Sequence, residues 1–269
     1  VTLFISTSKI DFSNGISANT KGLVIYGSLV MLMSFVIATA VSKYLNINDK
    51  AKGAFIQGTC RSNFAVVGYP ILLSIFGDEV ILPMSLFTIF LIGITNSVSV
   101  IILTMFSGSG KRVEIWTLTK NILLNPLIDS LIIGFIFSYF SIKLPVFINS
   151  TLSQISSLTT PLALINIGAI FSLSFESERI KPLVTSVIMK SFIIPLAAVF
   201  AGIHLGFRGP LLGILFIALV APAPPSSFVM AKMMDSDENL AANIVVASTV
   251  ASAIVIFVGI TLLQSLSLI

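Results

Sequence analysis

The sequence predicts an all-α polytopic membrane protein with inverted five-helix repeats. Three observations predict it. Hydrophobic residues make up 56% of the chain and charged residues only 10%, whereas a soluble domain carries about 25% charged residues. The apolar runs are continuous over about 20 residues, the length that crosses a bilayer as a helix, and lack the alternation of barrel strands. Two of these runs, far apart in the chain, are interrupted by proline in matching positions. In a membrane chain that pattern points to a transporter with an internal repeat and a site near the midplane.

Taken in order, residues 1–6 are apolar but too short to span and lack the basic start of a signal peptide. They read as the tail of a span. Spans are then expected at roughly 21–44, 51–76, 80–106, 116–140, 146–173, 182–205, 209–232 and 240–266. The second carries Arg61 and Asn63 and is expected to break at Gly68-Tyr69-Pro70. The fourth is interrupted at Asn125-Pro126 and carries Asp129, and the fifth holds Asn166. The sixth has Lys190 and Pro195, and the seventh contains Pro222-Ala-Pro224-Pro225-Ser226-Ser227. Three prolines within four residues cannot be regular helix. An extended stretch at membrane depth survives only inside protein or beside water.

A broken span, a short acidic loop and a closing span thus occur twice, at Asp78-Glu79 and at Asp235–Glu238. An odd number of spans separates the two breaks, so corresponding elements cross the membrane in opposite senses. The expected organisation is an incomplete first repeat at 1–106, a cytoplasmic loop at 107–115 and a second five-span repeat at 116–269. Symmetry implies about one and a half further spans upstream of this sequence. Lysine and arginine divide nine against four between alternate loops. The richer set belongs on the cytoplasmic side, which places the C-terminus outside.

Composition also excludes several classes. The net charge of +4 comes from basic residues scattered singly in loops, so nucleic acid is not a partner. With one cysteine, Cys60, and one histidine, His204, neither a disulfide framework nor a metal centre is expected. There is no phosphate-binding Gly-x4-Gly-Lys loop, so no nucleotide cofactor is expected. No His-Glu-x-x-His motif or intramembrane Asp pair marks an enzyme.

Arg61 is the most informative single residue. It lies about nine residues beyond Lys52, about 14 Å of helix, which is too deep to reach the surface easily. A guanidinium there either binds an anion, which its fork geometry suits, or caps carbonyls freed by the break. Asn63 either binds substrate or ties the broken backbone to its partner. Ser226 and Ser227 are placed to cap the half-helix after the prolines and to offer N–H groups to an anion. Lys190 either pairs with Asp129 or relays protons. Asn125 and Asn166 sit beside helix disturbances and either support coupling or satisfy the freed backbone. Cys60 reads as a small packing residue and His204 as interfacial.

The ordered set Phe55-x5-Arg61-x-Asn63-x4-Gly68-Tyr69-Pro70, Asn125-Pro126, Pro161-Leu-Ala-Leu-x2-Gly168, Lys190-x4-Pro195, Ala221-Pro-x-x-Pro225 and Asp237-x-x-Leu240 resembles the auxin efflux carrier family. Its bacterial members resemble malate or malonate permeases. The resemblance implies two inverted five-span repeats whose proline-broken helices cross at the centre and bind an organic anion. It would place Gly68, Tyr69, Pro70, Pro222, Pro224 and Pro225 at the crossing, with Arg61 and Asn63 beside it.

The function expected is secondary transport of a small organic anion, such as malate, malonate or an auxin-like carboxylate, by alternating access. The expected location is the plasma membrane, with the bilayer and the anion as partners and a homodimer allowed. The alternatives are a sodium-coupled anion symporter of a related fold and a channel or receptor.

Overall fold

The computed structural model describes residues 4, 5, 8, 17–107, 126–170 and 177–269. Most of the loop expected at 107–115, the start of the fourth span, Asn125 and the side chain of Asn166 lie outside the described residues. Helix α1 is Ala18–Tyr44, and α2 is Asp49–Cys60. After an unwound stretch, a π turn at Phe64–Gly68 leads into α3, Tyr69–Phe76. Helix α4 is Ile81–Met105, α5 is Pro126–Tyr139 and α6 is Val146–Ile170. Helix α7, Ser177–Ile188, joins α8, Ile194–His204, through a π turn at Met189–Ile193. Helix α9, Gly209–Val220, is followed by a second unwound stretch, α10, Ser226–Met233, and α11, Glu238–Ser265. Among the described residues, four stretches are long and apolar enough to cross a membrane: Ala18–Tyr44, Ile81–Met105, Glu178–His204 and Glu238–Ser265.

The helix starts follow local chemistry. Ser17, Asn48 and Asp237 cap α1, α2 and α11 by accepting from the N–H groups of Thr20, Ala51 and Leu240. Each thereby satisfies a donor that has no partner within its own helix. Pro210 sits in the first turn of α9, where the missing N–H removes no helical bond, whereas Pro70 and Pro195 each follow a π turn that leads straight into α3 or α8.

The two halves keep one register. Ala18–Tyr44 and Glu178–His204 both have 27 residues, and Asp49–Cys60 and Gly209–Val220 both have 12. Each bound in the second set lies 160 residues after its counterpart, and the ends of α4 and α11, Met105 and Ser265, keep the same spacing. Lys21-Gly-Leu-Val24 and Lys181-Pro-Leu-Val184 share that offset. The packing exchanges partners accordingly. A Cβ on Gly53 would meet Ser236, and a Cβ on Gly213 would meet Phe76. These contacts map onto one another when the two units are interchanged.

Helices α2 and α9 form the centre. Residues 53–60 and 212–220 are buried on every side. The outer helices present Leu29, Val36, Phe200, Ile254 and Phe257 outward, as lipid contact requires. Lipid is as apolar as a leucine side chain, so close packing rather than exclusion from water holds such helices together. Aromatic rings accordingly sit where a glycine leaves room. A Cβ on Gly27 would lie 2.3 Å from Phe87, and one on Gly259 would lie 2.1 Å from Phe216.

Ion pairs join the loops on one face. Lys50 Nζ reaches Asp235 at 2.5 Å, Arg179 Nε reaches Asp237 at 2.9 Å, and the Ser236 hydroxyl donates to the Lys50 carbonyl at 2.7 Å. The C-terminus lies at the opposite end, where the Gly209 N–H donates to the Leu268 carbonyl at 2.8 Å. The described basic loops of one set, at Lys50, Arg179 and Lys232, therefore lie together, as their alternation along the chain requires.

Candidate functional site

The first break does not lie at Gly68-Tyr69-Pro70. Helix α2 ends at Cys60, and residues 61–63 are unwound. Pro70 stands in the first turn of α3, and the preceding π turn at Phe64–Gly68 absorbs the missing donor. The second break covers 221–225. Pro225 there already has helical angles (φ −54°, ψ −27°) and starts α10 rather than extending the unwound stretch. Both breaks follow a 12-residue helix and so fall at equivalent depth in the two units.

The two unwound segments touch through their backbones: the Asn63 N–H donates to the Pro222 carbonyl at 2.8 Å. Side chains from other segments also hold the second break and its flanks. The Gln57 amide donates to the Ser227 carbonyl at 3.0 Å. On α11, Ser252 donates to the Val220 carbonyl at 2.6 Å, and the Ser248 hydroxyl accepts the Ala223 N–H at 3.1 Å. These serines are four residues apart and lie on one helix face. Replacing Ser248 by alanine strands the buried Ala223 N–H, which costs about 1–3 kcal/mol. A lowered thermal unfolding midpoint in detergent is expected for Ser248→Ala, whereas Thr249→Val, on the neighbouring residue, should shift the midpoint less.

Arg61 spans the gap between the units. Its Nη1 donates to Ser227 Oγ at 3.2 Å and to Met230 Sδ at 2.9 Å. Its Nη2 donates to Asn96 Oδ1 at 2.7 Å and to Ser226 Oγ at 2.9 Å. Ser226 and Ser227 therefore do not cap α10. They form its first turn, and their hydroxyls accept from the guanidinium instead. Arg61 is only 4% exposed and Lys190 only 2%. Lys190 Nζ donates to the Arg61 carbonyl at 2.5 Å rather than pairing with Asp129. Among the described residues, neither cation has a carboxylate partner. The guanidinium also faces the N-terminus of α10, the positive end of a helix dipole. The crossing thus concentrates positive charge that the described chain does not neutralise.

Of the residues singled out from sequence, the structure brings together Arg61, Asn63, Pro222, Pro224, Pro225, Ser226 and Ser227 around the crossing. Asn63 makes no side-chain hydrogen bond among the described residues and is only partly buried, which leaves its amide free. Gly68, Tyr69 and Pro70 belong to the helix beyond the break. Gly68 packs against Phe64 and Ile217, and the Tyr69 hydroxyl pairs with Thr88 at 3.0 Å. Met230, Gln57 and Ser248 are neighbours of the crossing that sequence reasoning missed, and Asn96, visible as an intramembrane polar group of the third span, was given no role there. Cys60 is buried and free, and His204 lies exposed at the end of α8. A polar cleft of about 450 Å³ opens among Asn48, Lys50, Arg179 and Asp237. Each charged side chain of its lining has an ion-pair partner in or beside the cleft. Among the described residues no group of His, Cys, Asp or Glu is arranged to hold a metal.

The sequence profile of a family described as membrane transport protein matches residues 3–260. The chain belongs to the membrane transport protein family. This agrees with its resemblance to auxin efflux carriers, and it makes the crossing part of a multi-pass transporter rather than of an enzyme. No curated protein matches the chain. For a membrane transport protein, broken helices at the bilayer midplane are where a substrate is expected to bind.

Proposed function

We propose that this transporter carries a small organic anion across the plasma membrane by alternating access, binding it where the unwound segments meet. The observation that carries the reading is the pair of buried cations, Arg61 and Lys190, with no carboxylate partner among the described residues. A charge in hydrocarbon costs at least about 2.5–3.5 kcal/mol. The Arg61 guanidinium, facing the N-terminus of α10 and with the Lys190 ammonium held on its own carbonyl, favours an incoming anion and disfavours a cation. The anion would take over guanidinium N–H groups now held by neutral oxygens and sulfur, and the Asn63 amide would add a donor. Malate, malonate and auxin-like carboxylates fit this chemistry.

The matched units support alternating access. By the spans expected from sequence, each element lies five spans after its counterpart, an odd offset, so the two units would cross the bilayer in opposite senses, as inverted repeats do. We place the face of the ion-paired loops in the cytoplasm and the C-terminus outside. Uptake into proteoliposomes tests the reading. Carboxylate uptake is expected to saturate, to be competed by other carboxylates but not by amines, and to proceed without sodium. Flux rising linearly with concentration would instead mark a channel. A sodium requirement would mark the symporter alternative.

A further inference from the structure

Lys190 is the buried charge that this reading leaves without a task of its own. In a continuous helix the carbonyl of residue 61 would accept the N–H of residue 65. Arg61 is instead extended (φ −74°, ψ 145°), and its carbonyl takes the Lys190 ammonium at 2.5 Å. Its N–H is held by the Gln57 carbonyl at 2.9 Å. Both faces of the residue's backbone are therefore fixed, which fixes the base from which the guanidinium extends.

The helix carrying Lys190 is shaped for this contact. A π turn at Met189–Ile193 surrounds the lysine, and Pro195 follows in the first turn of α8. Four residues earlier, Ser186 Oγ lies 2.9 Å from Thr59 Oγ1. Two polar rungs of one helix thus grip the last turn of α2 and the first unwound residue. The grip runs from the second unit to the first, and the equivalent position 160 residues earlier is Val30. The device is therefore one-sided, as is Arg61, whose counterpart is Ala221.

We propose that Lys190 is a positioning residue: it sets the anion site by clamping the Arg61 peptide, so that the guanidinium is presented at one fixed depth in the crossing. This rests on the anion reading above, and the experiment separates the two. Full-length Lys190→Met and Lys190→Arg variants are reconstituted and assayed with malonate. Two readouts are taken: KM and maximal rate per folded transporter, and the rate at which phenylglyoxal modifies Arg61, followed by peptide mass spectrometry.

Lys190→Met is expected to raise KM about tenfold with the maximal rate changed less, and Lys190→Arg to recover most of that loss. Arg61 modification is expected to quicken several-fold in Lys190→Met and to stay at the wild-type rate in Ser186→Ala, which loses only the neighbouring rung. Where Lys190→Met does not assemble, Lys190→Gln, which keeps an N–H donor on a shorter arm, is expected to show the same changes at smaller size. An unchanged KM and an unchanged modification rate overturn the proposal, as does an arginine variant no better than the methionine one. The modification rate needs no transport. If the wild type takes up no carboxylate while Arg61 still reacts faster in Lys190→Met, the anion reading falls and the clamp stands.

Discussion

Arg61→Met should abolish saturable carboxylate uptake while leaving the thermal unfolding midpoint close to that of the wild type. The two halves of that expectation have separate reasons. Arg61 gives four hydrogen bonds to Ser227, Met230, Asn96 and Ser226, all neutral acceptors. Replacing a buried charge that has no counter-ion by an apolar chain of similar volume removes its desolvation cost, and that gain offsets the penalty of the acceptors left unpaired, the buried Asn96 Oδ1 above all. An arriving anion has no such exchange available. Without the guanidinium it must leave water for a crossing whose remaining donors are amides and hydroxyls. A fall in kcat/KM of about 100-fold or more is expected, equivalent to about 2.7 kcal/mol. Arg61→Lys keeps the charge but loses the fork, and it should fall between the two. Uptake by Arg61→Met with the wild-type KM would show that the guanidinium is only a strut between the unwound segments.

The fold class was legible because it rests on quantities that tertiary structure does not change. Too few charges exist to coat a soluble surface, and the apolar runs have the length of a bilayer. The second break was legible for a similarly local reason: a chain with Pro222, Pro224 and Pro225 has no helical option. The first break was misplaced because proline is an ambiguous signal. Pro70 sits in the first turn of α3 behind a π turn and disrupts nothing, whereas the unwinding at 61–63 carries no proline. It is stabilised by distant groups, the Pro222 carbonyl, Lys190 and Ser227, and no local pattern announces them. Lys190 was visible as an intramembrane charge, but its choice of a backbone carbonyl over Asp129 depends on which helices pack together. The repeat was legible as an order of elements. Its common register was not, because the two units share side-chain identity at few positions beyond Lys21, Leu23 and Val24 with Lys181, Leu183 and Val184.

Gly68→Ala is expected to destabilise the transporter by about 2–3 kcal/mol, although alanine favours helix by about 1 kcal/mol over glycine. The backbone at Gly68 is helical (φ −73°, ψ −40°), so conformation is no obstacle to a side chain. Space is the obstacle. A Cβ there would lie 2.4 Å from Phe64 Cδ2 and 3.1 Å from Ile217. The Phe64 ring is fully buried and meets Tyr69 and Phe87 edge-on at centroid distances of 5.7 and 6.2 Å. Phe87 in turn fills the notch at Gly27, so neither ring can yield without displacing α1. The glycine thus locks an aromatic stack that ties the segment beyond the first break to α4 and α1. The unfolding midpoint of Gly68→Ala should drop by about 5–10 °C. Adding Phe64→Leu, which shortens the ring that is struck, should return more than half of that loss, a coupling that a double-mutant cycle reads directly. If Gly68 served instead to bring its backbone against the substrate, Gly68→Ala would keep its midpoint and change KM, and Phe64→Leu would rescue neither.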